Sequence, residues 1–217
     1  MTKFAFWTCA FVIGAMAAAS VWAFDAVPAD ARIAVHFGLD GRPDRFADPA
    51  FAFSVLPAVA AAALALFALA PRFSQATRIP DVSRPSYSVF AVAVIAVLAV
   101  AHALIIATAV GIDVSVTRSI AGALGVMFVV TGNYATQIKP NAVFGVRLPW
   151  TLADPRVWAR THRLYGWLSV LLGLVLVGLA VSGAADAVIA SAMLVGIAAL
   201  VLTVLIQSWR IAREFAA

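Results

Sequence analysis

SVFAVAVIAVLAVAHALIIATAV, Ser88–Val110, runs for 23 residues without an Asp, Glu, Lys or Arg. At a 1.5 Å rise per residue, a helix of that length spans the roughly 30 Å hydrocarbon core of a bilayer. Polarity does not alternate along it, and a strand in lipid needs alternation inside a closed barrel, so it reads as a transmembrane helix. Five more such runs follow from the same criterion: Phe4–Phe24, Phe51–Ala70, Ser119–Thr136, Leu164–Val181 and Ala187–Trp209. The 217-residue composition agrees. Hydrophobic residues make up 64% and charged residues 12%, against nearly half and a quarter in a soluble domain. The expected fold class is an all-α integral membrane protein with six transmembrane helices. Lone Cys9 excludes an internal disulfide framework.

The first run has an alternative. Lys3, the apolar stretch and Val21-Trp22-Ala23 also fit a signal peptide cut after Ala23. The stretch is long for that and ends in Trp, so a retained helix is expected. Charge sets the orientation. With the N-terminus inside, eleven Lys and Arg face the cytoplasm and four face out, giving net +8 inside and −3 outside, the total being +5. The expectation is N-in, C-in. In a soluble protein +5 points to nucleic acid; here it is topology, and no direct nucleic-acid contact is expected.

Two loops exceed simple connectors. The outer one, Asp25–Pro49, contains His36, Asp40-Gly41 and Arg42-Pro43-Asp44-Arg45, a turn-rich stretch. His36, Asp40 and Asp44 are donors for a divalent cation, but three such residues in a loop make a poor zinc signature, and a capped turn is the expectation, with no metal. The inner one, Gln137–Arg163, has Pro140 and Pro149, which interrupt helix, and Asn141 and Gly145, which suit tight turns. Thr151 reads as a helix N-cap with Asp154 three residues on. That predicts a short amphipathic helix, about Leu152–Thr161, lying along the interface before helix 5, with Trp150, Trp158 and Trp167 as interfacial anchors. Arg147 between apolar Val146 and Leu148 needs a partner: Asp154, a backbone carbonyl, lipid phosphate or a ligand. Asn133 is expected to face protein and bond across helices, and intramembrane His102 to sit neutral, bonded to a neighbouring helix. Gly122, Gly125, Gly166 and Gly173 permit close helix packing. The chain divides as 1–71, a helix pair with the outer loop; 72–87, a linker; and 88–217, four helices with the inner loop. There is no dinucleotide fingerprint, phosphate loop, zinc-protease or serine-hydrolase motif, so no cofactor is expected.

Gly132-Asn133, Ile138-Lys139-Pro140-Asn141, Phe144-Gly145-Val146-Arg147-Leu148-Pro149-Trp150-Thr151-Leu152, Val157-Trp158 and Thr161-His162-Arg163 together resemble the signature of the SdpI family of bacterial membrane proteins. Leu148 stands where that pattern usually has Thr. The outer His36-Phe37-Gly38 with Gly41-Arg42-Pro43-Asp44-Arg45 resembles a small domain of unknown function that often precedes it. The resemblance implies a non-enzymatic immunity and sensor protein in a bacterial cytoplasmic (inner) membrane. Its namesake resists a secreted, membrane-active peptide toxin and holds a transcriptional repressor at the membrane. On that reading Arg147 and the inner loop, from Asn133 and Lys139 to His162 and Arg163, meet a cytosolic partner. The outer loop meets the toxin. Two alternatives use the same residues: a small transporter or exporter of a peptide, lipid or ion with His102 and Asn133 on its path, and a membrane enzyme built on His36/Asp44 or Arg147/His162. Oligomeric state does not follow from the sequence.

Overall fold

The computed structural model describes residues 1–73 and 79–216. Seven α-helices and one hairpin account for most of it: α1 (Lys3–Ala26), β1 (Ile33–Phe37), β2 (Pro43–Ala47), α2 (Pro49–Leu69), α3 (Arg84–Ala109), α4 (Val116–Tyr134), α5 (Pro149–Ala153), α6 (Pro155–Val181) and α7 (Asp186–Ala216). Six of them are long and apolar enough to cross a membrane. They are the six expected runs, extended at their ends. The part of the 72–87 linker that holds Arg78 lies outside the described residues.

Local chemistry explains where the helices start. Asp48 caps α2, accepting the Phe51 N–H at 2.9 Å, with Pro49 following. Ser115 caps α4, accepting from Arg118 N–H at 3.2 Å. Asp154 caps α6, accepting the Arg156 N–H at 2.7 Å, with Pro155 next. A capping oxygen satisfies an orphan N–H, and Pro in the first turn sacrifices no hydrogen bond.

The chain packs as two helix groups. α1, α2 and α3 pack on one another, and so do α4, α6 and α7; α3 and α4 join the groups. Thus α3 leans on the first helix pair as well as on α4. The tightest seam is α4 against α6, which run antiparallel. A Cβ on Gly125 would meet the Gly173 carbonyl oxygen at 2.8 Å, and one on Gly132 would meet that of Gly166 at 2.8 Å. These glycines, seven apart on each helix, pack within the chain. Outward, Trp7, Phe11, Leu66, Leu171 and Val195 are exposed, a belt too apolar for water and suited to lipid.

The Asp25–Pro49 loop folds as an antiparallel hairpin, which the sequence reading had only as a turn. Its register runs from Ile33 opposite Ala47 to Phe37 opposite Pro43 and slips on both sides of His36. Buried Ile33 anchors it among Ala23, Phe53 and Ile105 at the end of the first helix group. The turn reaches across to the second group. Gly41 adopts φ +76°, and a Cβ there would lie 2.5 Å from Asp186 Oδ2, so only glycine lets the turn rest on the start of α7.

Candidate functional site

At the opposite end of the bundle the segment from Ile138 to His162 folds into a knot. Asn141 begins it. Its Oδ1 accepts the N–H groups of Val143 (2.8 Å) and Phe144 (2.9 Å), and its Nδ2 donates to the Lys139 carbonyl (2.9 Å). The turn needs an acceptor and a donor on one short side chain, which Asp lacks. It drops Phe144 into an apolar cluster with Ile79, Tyr87, Ile138 and Trp158.

Gly145 follows at φ +106°, where a Cβ would sit 2.5 Å from His162 Nε2 and 3.2 Å from the Trp158 ring. The backbone therefore presses onto the two rings. Val146 N–H donates to His162 Nε2 at 3.1 Å, and His162 Nδ1 lies 3.0 Å from the Trp158 carbonyl. These partners assign the neutral tautomer with the proton on Nδ1. His162 stacks on Trp158, with centroids 4.1 Å apart, and Trp158 Nε1–H donates to Ile138 O at 2.6 Å. Both rings are about 1% exposed. Thr151 closes the knot. Its Oγ1 accepts Leu148 N–H (2.9 Å) and lies 2.7 Å from Val146 O, to which it donates. Asp154 also binds the Arg156 guanidinium, at 2.8 Å from Nη2; this hydrogen bond holds its carboxyl below the usual value.

Several expectations are corrected. The short helix expected at Leu152–Thr161 is the single turn Pro149–Ala153; Asp154-Pro155 is the stronger start signal, so residues 155–163 form the first turns of α6 itself. Thr151 is inside α5, not its cap. Trp158 is buried core, not an interfacial anchor, and Trp150 donates to Ser208 Oγ on α7 at 3.0 Å, while Trp167 is 73% exposed. Of the partners expected for Arg147, it takes a backbone carbonyl, that of Ala142, while Asp154 goes to Arg156. Asn133 is exposed and bonds Val129 O of its own helix at 2.7 Å, not another helix. Pro140 and Pro149 are exposed on the knot surface, with Lys139 and Arg163. Thr161 is buried, and its Oγ1 has no partner among the described residues.

His102 sits as expected. Its Nε2 is 3.2 Å from Met16 O and 3.0 Å from Ser20 Oγ, which donates to Phe53 O at 2.7 Å. The imidazole ties α3 to α1, and Ser20 carries the link on to α2. In the hairpin His36 Nδ1 pairs with Asp44 at 2.6 Å, Asp40 accepts the Arg42 N–H, and Arg45 stands opposite His36 in the register. Among the described residues no three His, Cys, Asp or Glu converge as a metal site.

Sequence reasoning missed the residues that hold the knot from outside. Ser83 Oγ accepts Lys139 N–H at 2.9 Å, Ser86 Oγ donates to Tyr134 O at 3.1 Å, and Tyr87 OH donates to Phe67 O at 2.9 Å. The Ser83…Ser86-Tyr87 cluster beside Pro85 was their only sequence signal. Also missed was Asp186, which accepts from Ser115 Oγ at 3.1 Å and pairs with Arg118 at 3.5 Å. Asn141, Thr151, Trp158 and His162 spend their buried polar groups on backbone, and the described residues of the knot present no nucleophile–base pair. What it offers outward is cationic: Lys139, Arg147 and Arg163 are exposed. Beneath it, Tyr134, Phe144, Gly145, Val146 and Tyr165 border a cavity of about 200 Å³.

Residues 137–206 match the SdpI/YfhL protein family, and residues 11–61 match a domain of unknown function (DUF1648). The first match takes in the knot, α6 and most of α7; the second takes in most of α1, the hairpin and half of α2. Both bear out the resemblance carried by the signature residues. No curated protein and no solved structure matches the chain.

Proposed function

We propose, with the SdpI/YfhL segment as premise, that this multi-pass membrane protein is a non-enzymatic immunity and sensor protein. The hairpin end faces out and meets a membrane-active peptide toxin. The knot end faces the cytoplasm and docks a cytosolic partner, by the family precedent a transcriptional repressor. One observation carries the reading: Asn141, Thr151 and His162 of the signature spend their buried polar atoms on the segment's own backbone, while Lys139, Arg147 and Arg163 remain outward. A catalytic site keeps reactive groups open to substrate; a docking face keeps a rigid shape with charge on it.

The test is survival. Cells lacking the gene are challenged with membrane-active peptides secreted by the native host's own population or its competitors. The expected result is that the wild-type chain restores growth and Arg147→Ala does not, at equal membrane levels. Equal sensitivity with and without the wild-type chain, across those peptides, overturns the immunity reading.

A further inference from the structure

The hairpin roofs a cavity of about 700 Å³ between the two helix groups. That lies within the roughly 300–1,000 Å³ range of built ligand sites. Leu56 of α2, Ile105 of α3, Ile120 of α4 and Met193 of α7 line its body, so all the apolar walls belong to the hairpin end. Val35 and Phe37 of the hairpin line it too, together with His36 and Asp44. The roof is braced at both ends: Ile33 is buried among the first helix group, and the Gly41 turn rests on Asp186. Asp186 is itself tied to Ser115 and Arg118. These two supports hold the hairpin over the cavity.

Charge selects the occupant. The loops at this end hold seven Asp against four Arg, counting Asp25, Asp30, Asp40, Asp44, Asp48, Asp113 and Asp186. Two of the arginines are engaged, Arg42 with Asp40 at 3.9 Å and Arg118 with Asp186 at 3.5 Å. Asp44 and Asp40 have half or more of their side-chain surface exposed. Anionic headgroups are disfavoured here, and basic groups are drawn in. We propose that this cavity binds the apolar segment of a cationic, membrane-inserting peptide, with Asp40 and Asp44 meeting the basic residues that flank it. The inference rests on the immunity reading only for the peptide's biological role; the site itself stands on the cavity and the hairpin's carboxylates.

Photolabelling tests it with the full chain in phosphatidylcholine nanodiscs. The probe is an 18-residue amphipathic Leu/Lys helix carrying a benzophenone on its apolar face; its match has Glu for every Lys. The Leu/Lys probe is expected to label the α3 and α7 segments that line the cavity at least about fivefold more than the Leu/Glu probe. Ala101→Trp, which fills the cavity, and the pair Asp40→Asn/Asp44→Asn should each remove most of that labelling. Val201→Trp, on the lipid-facing side of α7, should not. Leu56→Trp repeats the filling from α2 should Ala101→Trp fail to fold. Equal labelling by both probes, or labelling spread over Val195 and Leu202 and unchanged by both filling variants, overturns the site. Loss of the site with survival intact leaves the immunity reading standing. A labelled cavity in a chain that protects no cell removes that reading and keeps the site.

Discussion

The two ends of the molecule hold their histidines in opposite ways. His36 is half exposed and leans on a carboxylate, Asp44, at 2.6 Å. His162 is buried, stacked on Trp158 and bonded at both nitrogens to backbone groups. The hairpin end is tied by exposed ion pairs, which are individually weak and screened by salt. The knot end is tied by neutral, buried hydrogen bonds, where a lost partner costs the desolvation of the group left behind. One end holds its charged groups at the surface, open to a ligand. The other is built to keep a fixed shape for one.

The contrast breaks most visibly at Trp158. Trp158→Ala removes the ring beneath Gly145 and His162, and a loss of about 3–5 kcal/mol is expected, read by thermal unfolding in detergent micelles. Gly145→Ala comes next. It forces a Cβ onto His162 Nε2 at φ +106°, and roughly 2 kcal/mol or more is expected from backbone strain and the clash. His162→Phe keeps the stack and leaves Val146 N–H unpaired, for about 1–3 kcal/mol; faster hydrogen exchange at that amide checks the cause. At the other end, Asp44→Asn is expected to change stability by less than about 1 kcal/mol, and the difference should shrink as salt is raised. An effect there as large as at Trp158 would erase the comparison.

A small acid dependence sharpens it. The Asp154 carboxyl sits below the usual value because of its hydrogen bonds to Arg156. A depressed group contributes stability above the unfolded pKa, which is lost as pH falls through the folded one. Loosening at the start of α6 is therefore expected only below the ordinary carboxylate range. Asp154→Asn should flatten that part of the unfolding profile.

Much of the architecture was legible because lipid imposes it. A run such as Ser88–Val110 has one stable form in a bilayer, and all six runs became helices. Their ends were less legible. α7 continues through Arg210 and Arg213 to Ala216, because a helix does not stop where hydrophobicity does. The interfacial helix was misplaced because Thr151 and Asp154 both suit caps, and only Asp154 has Pro155 behind it to fix the start. In the site, Asn141 and Gly145 were legible as turn residues, since their backbone needs are local. His162 meeting Val146, or Asp186 meeting Gly41 and Ser115, was not: these pairs form only when distant segments are brought together. Arg147 was legible as unusual, and its Ala142 partner was not.

The central claim is that a rigid knot presents Arg147 to a partner. Crosslinking and co-purification from native membranes tests it most directly, comparing wild type with Arg147→Ala at equal membrane levels and equal thermal stability. The account predicts that a DNA-binding regulator is recovered with wild type and lost with Arg147→Ala. Equal recovery with both, or phospholipid alone with both, would contradict it.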